Sequence, residues 1–187
     1  MFNNKFKFAI MAATALVMTF SACKKDDEEV PEADENELIT RVSFKFTNAA
    51  NVNDVATVTW TDPDGEGGTP ATIGTLTLKP NTTYNYEVSE VLNETATGDG
   101  RNVLSEINEE SDEHLWVYKP LPANLLTITR TDKDKNNLEI GLKGRAVTGA
   151  ASTGTLETIL RHQPGAKNGT EAPGSSDFDA TFPVKVQ

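Results

Sequence analysis

The chain has 187 residues, 17 of them Lys or Arg and 28 Asp or Glu, giving a net charge of −11 with both histidines neutral. So acidic a surface repels phosphate backbones and anionic lipid headgroups, which argues against nucleic-acid binding and points instead to cations, basic partners or neutral ligands. A single cysteine, Cys23, excludes a disulfide framework and, if acylated, leaves no thiol for catalysis or for a thiolate metal site.

Lys5 and Lys7 precede an apolar run over residues 8–20, followed by small Ser21 and Ala22 and then Cys23. A run of thirteen residues, broken only by Thr14 and Thr19, falls short of the roughly 20 that a membrane-crossing helix needs, so residues 1–22 read as a signal peptide. Phe20-Ser21-Ala22-Cys23 resembles a bacterial lipobox, with Phe20 where Leu is usual. The resemblance implies cleavage before Cys23, a diacylglyceryl group on its thiol and an acyl chain such as palmitate on the new amino terminus. Each buried methylene contributes about 0.8 kcal/mol, and more than one acyl chain gives stable attachment. Without Lys5 and Lys7 the remainder holds 15 basic against 28 acidic residues, a net charge of −13.

Residues 23–37 form the lipidated cysteine and an acidic tether, with eight acidic residues between 24 and 37. Composition alone is enough to keep such a segment solvated. Lys24-Lys25-Asp26-Asp27-Glu28-Glu29 also resembles the export signal that sends Bacteroidota lipoproteins to the outer face of the outer membrane. That resemblance implies a lipid-anchored, surface-exposed protein.

From residue 38 onward the pattern is that of one domain, 38–187, large enough for its own core. Val42, Phe44 and Phe46 alternate with Arg41, Ser43 and Lys45, as a half-buried strand requires. A second strand spans 55–61, with Ala56, Val58 and Trp60 on one face, and ends in the turn-forming Asp62-Pro63-Asp64-Gly65. A third is expected over 73–78 and a fourth through Tyr84, Tyr86 and Val88. Residues 102–113 are the one candidate helix, with Val103, Leu104 and Ile107 at helical spacing and Asn102 as N-cap. Further strands are expected at 115–118, 125–130, 138–142, 156–162 and 178–186, the last an edge strand because of Pro183. Residues 165–177, rich in Gly, Pro, Ala and Ser, read as a mobile loop.

Leu78-Lys79-Pro80-Asn81-Thr82-Thr83-Tyr84 resembles the corner of fibronectin type III and immunoglobulin-like domains, where a tyrosine hydroxyl bonds back to nearby backbone. The spacing from Trp60 to Leu78 is too short for that family's strand order, so the architecture is carried over and the topology is not. The fold expected is all-β: an immunoglobulin-like antiparallel β-sandwich of about eight or nine strands with one short helix.

His114 and His162 are the only histidines. Glu110 lies four residues before His114, so a helix running that far would put both on one face, a spacing that suits zinc or copper. His162 is a candidate third ligand from across the sandwich; the ordinary alternative is a pair of hydrogen-bonded histidines. Asp62, Asp64 and Glu66 set three carboxylates at alternate positions, which suits calcium, as do Asp132, Asp134 and Asn136. Turn chemistry explains both stretches equally well. No nucleophile elbow, phosphate-binding glycine loop or His-Glu-x-x-His helix occurs, and the reading is non-enzymatic.

Glu110-Ser111-Asp112-Glu113-His114, Leu160-Arg161-His162 and Ala180-Thr181-Phe182-Pro183-Val184 are similar to a family of small Bacteroidota lipoproteins often encoded beside TonB-dependent receptors. Its members often carry the label "type 1 periplasmic binding fold superfamily protein". Strands without intervening helices of about 10–15 residues cannot build the two parallel-sheet lobes that label names. The resemblance implies an accessory module that binds a ligand, such as a metal ion or chelate, for a TonB-dependent transporter. The alternative is an adhesion or structural envelope module with no small-molecule ligand.

Overall fold

A computed structural model describes residues 38–65 and 67–187. The leader, Cys23, the tether and Glu66, with the expectations placed on them, lie outside the described residues. β1 (Arg41–Asn48) buries Val42, Phe44 and Phe46, as its alternation requires. It pairs antiparallel with β2 (Val55–Thr61) on one side and β5 (Thr83–Leu92) on the other. β3 (Thr72–Ile73) extends this sheet beyond β2, while β8 (Lys143–Thr148) and then β7 (Leu126–Arg130) extend it beyond β5. The six-stranded order is β3-β2-β1-β5-β8-β7. The facing sheet has four strands: β4 (Leu76–Leu78), β10 (Ser175–Val186), β9 (Ser152–His162) and β6 (His114–Leu121), in the order β4-β10-β9-β6. Among the described residues only the β4–β10 pair is parallel. The result is an all-β sandwich.

The two inner faces meet through aromatic rings. Phe44 of β1 stands edge-on to Trp116 of β6 at 5.4 Å and to Phe182 of β10 at 5.5 Å, and Trp60 meets Phe178 edge-on at 5.1 Å. Edge-to-face packing adds about 0.5–1.5 kcal/mol per pair to the burial itself. The corner forms as its sequence implies. Lys79 N–H donates to the hydroxyl oxygen of the buried Tyr84 at 3.0 Å, and Asn81 takes the left-handed conformation at φ 49°.

Several elements differ from expectation. The strand over 73–78 is two strands in two sheets. Gly74 N–H bonds to Thr59 O at 2.9 Å, and from there the chain crosses to pair with β10. β8 was not legible because its inward positions are Gly144, Ala146 and Thr148, while Val147 points out. Small residues are needed there: a Cβ on Gly144 meets the Thr129 carbonyl and the Tyr86 ring. Residues 138–142 form no strand; they make an isolated Lys133–Glu139 bridge and accept single backbone bonds from Trp116 and Val88. β10 is not an edge where β4 joins it at Val184, and Pro183 marks the point at which that neighbour ends.

The helix is shorter than expected: α1 (Val103–Glu109) buries Val103 and Ile107 one turn apart. Asn102 stands at its N-cap without a side-chain capping bond. Among the described residues no helix is long and apolar enough to cross a membrane.

Candidate metal centre

α1 stops at Glu109, so helical spacing does not place Glu110 beside His114. A tight turn does. The Glu110 carbonyl accepts Glu113 N–H at 2.8 Å, and His114 then opens β6 with its Nδ1 3.1 Å from the same oxygen. A carbonyl only accepts, so the imidazole proton in that bond sits on Nδ1 and leaves a lone pair on Nε2.

His162 closes β9 and is the direct cross-strand partner of His114, a neighbour within one sheet rather than a residue across the sandwich. The rings stack at 4.8 Å with planes 5° apart. Glu110, His114 and His162 each offer a ligand atom, and these atoms lie within 4.8 Å of one another. Among the described residues this is the group of His, Cys, Asp or Glu able to hold a metal ion.

Two further carboxylates, neither of them a candidate ligand on sequence grounds, meet the pair. The β9–β10 register slips between Ser176 and Phe178. Phe178 remains in the core, and Asp177, the residue at the slip, has a fully buried side chain, its carboxylate 3.7 Å from His114 Nε2 and 4.0 Å from His162 Nδ1. Glu113 lies 3.8 Å from His162 Nε2. His114 is 1% exposed, His162 14% and Glu113 35%, so the cluster is closed on the His114 side and reachable past His162 and Glu113. Burial pushes the His114 imidazole down to about 4, with the nearby His162 and Lys167 reinforcing the shift and the Glu110 carbonyl opposing it. At neutral pH this ring is therefore uncharged, the form in which imidazole binds a metal.

In the Asp132–Asn136 turn the carboxylates serve the chain's own amides and a lysine. Asp132 accepts the Gly141 and Lys143 N–H groups, and Asp134 Oδ1 accepts those of Asn136 and Leu138. The cation at Asp134 is Lys167, whose ammonium lies 2.7 Å from Oδ2 and 2.8 Å from Ser111 O, with 2% and 0% of the two side chains exposed. Burial works to raise the Asp134 carboxyl, but Lys167 and the Leu138 and Asn136 amides outweigh it and hold it below the usual carboxylate range. In the other turn, Asp64 accepts Thr69 N–H at 2.8 Å, which lowers its pKa, and Asp62 has a buried oxygen.

The loop after β9 is fastened rather than loose. Lys167 pins it from below, Gln163 Nε2 donates to the Thr170 and Pro173 carbonyls, and Arg161 reaches Pro173 and Gly174. These bonds hold the chain leading into Asp177.

No protein-family model, curated protein or solved structure matches this chain.

Proposed function

We propose that this protein is a metal-binding β-sandwich lipoprotein, anchored through Cys23 at the outer membrane and facing the cell surface, where it serves a TonB-dependent transporter as an accessory that holds zinc or copper. The observation that carries the reading is the convergence of Glu110, His114 and His162 within 4.8 Å at one end of the sandwich. The negative charge of the domain favours a cation as ligand. The leader, the lipobox-like segment and the resemblance to lipoproteins encoded beside such receptors support the place and the partner.

Isothermal titration of zinc and copper into the purified full-length chain in detergent tests the metal. Saturable binding of one ion, weakened in His114→Ala and His162→Ala, is expected; no binding, or binding indifferent to both changes, refutes it. Co-purification from detergent-solubilised outer membranes tests the partner. Recovery of a transporter supports the accessory role, and self-association alone favours an adhesive or structural module.

A further inference from the structure

The histidine pair has an inner and an outer side. On the outer side the Glu110 carbonyl holds His114 Nδ1 at 3.1 Å, and the Glu113 carboxylate stands 3.8 Å from His162 Nε2, the nearest acid to that nitrogen but beyond hydrogen-bond distance. Carbonyl and carboxylate partners of this kind characteristically orient metal-ligating histidines. On the inner side, His114 Nε2 and His162 Nδ1 are both buried without a hydrogen-bond partner among the described residues. These two atoms are the ones that face Asp177.

We propose, building on the metal-binding reading above, that Asp177 is a metal ligand: the ion sits among His114 Nε2, His162 Nδ1 and the Asp177 carboxylate, while Glu110 and Glu113 only orient the rings. The separations of 3.7 and 4.0 Å fall within the roughly 4.1 Å that two zinc–ligand bonds of about 2.0–2.1 Å can span. Asp177 is also the better-placed acid. Its side chain is buried among the histidines, whereas Glu110 is an exposed residue engaged with His114 through its backbone carbonyl.

A β-bulge supplies the mechanism. In an unbroken strand Asp177 falls opposite in parity to Phe178 and belongs to the outer face; a bulge re-aims one side chain, and here the register slip lies at Asp177. Two nitrogens and a carboxylate, with no sulfur, make a donor set suited to a divalent ion such as zinc rather than to the softer Cu(I). His162 and Glu113 are the partly exposed members of the cluster, so a further ligand from water or from a metal chelate would enter from their side.

The test compares zinc affinity of the full-length chain and its Asp177→Asn, Glu110→Gln and Glu113→Gln variants. Asp177→Asn is expected to lose about a hundredfold or more and Glu113→Gln about 10–100-fold, while Glu110→Gln, which keeps its carbonyl, stays within a few-fold of the parent. Asp177→Cys guards against a misfolded variant, because its cobalt(II) complex gains a thiolate-to-cobalt charge-transfer band that the parent lacks. Full affinity in folded Asp177→Asn, or a cobalt complex of Asp177→Cys without that band, overturns the assignment and leaves the histidine site standing. Absence of zinc binding in the parent chain overturns the metal reading itself.

Discussion

Lys167 is the buried cation whose removal the structure makes most informative. Lys167→Met keeps the length of the side chain and removes its charge, leaving the Asp134 carboxylate 0% exposed and stripped of its ammonium. Breaking one half of a buried ion pair costs about 3–5 kcal/mol. The lower end applies here because Asp134 Oδ1 keeps its bonds from Asn136 and Leu138. A loss of about 3 kcal/mol corresponds to roughly 6–12 °C in Tm for a domain of this size. It should appear as a urea midpoint shift of about 1 M or more, read from the fluorescence of the buried Trp116. The lowered Asp134 pKa sets the pH dependence. A carboxyl depressed in the folded state contributes stability above its ordinary value of 3.8 and loses it as pH falls through the folded value, whereas in the variant burial unopposed by Lys167 pushes the same carboxyl up, so the gap between parent and variant should narrow as pH falls through the variant's raised value towards the parent's lowered one. Adding Asp134→Asn, which keeps an oxygen for the two amides and removes the orphaned charge, should recover about 1 kcal/mol or more. A Lys167→Met protein within about 0.5 kcal/mol of the parent, or a double variant no more stable than the single one, refutes the reasoning.

His114 should make the metal-free protein acid-sensitive: its pKa falls from 6.5 to about 4 on folding, so stability present above pH 6.5 declines towards pH 4 by about 3 kcal/mol. His114→Phe should flatten that part of the urea-midpoint profile. Tyr84→Phe removes the acceptor for Lys79 N–H and should cost about 1–2 kcal/mol in the same assay. Gly144→Ala forces a methyl against the Thr129 carbonyl and the Tyr86 ring, with an expected loss of about 1–3 kcal/mol. Cys23→Ser should move the protein out of the membrane fraction on cell fractionation; retention there contradicts anchoring by acylation.

Much of the fold was legible because half-buried strands declare themselves by alternation. Residues 42–46, 55–61 and 178–186 place their large apolar side chains at every second position, and all three became strands with those residues facing inward. The corner at Leu78–Tyr84 was legible for a different reason, since Pro80, Asn81 and Tyr84 restrict the backbone locally. What failed lacked either signal. β8 turns Gly, Ala and Thr inward and so has no hydrophobic alternation to read. Leu138, Ile140 and Leu142 do alternate, but their segment is held by the Asp132 and Asp134 turn and by a bond from Trp116 N–H to Ile140 O rather than by a ladder.

By itself, then, the sequence determined the sandwich class and the inward faces of its longest strands, and it singled out Glu110, His114 and His162 as candidates, because residue type and local period carry that information. Tertiary structure decided how those residues meet. His114 and His162 are 48 positions apart and become neighbours because Trp116 pairs with Leu160 across β6 and β9, and a one-residue slip of that register would turn one ring to the opposite face. Asp177 joined them through a bulge that period-two reading assigns to the wrong side. Register and bulges are set by which core side chains pack across the sandwich, a long-range choice that no local stretch of the chain records.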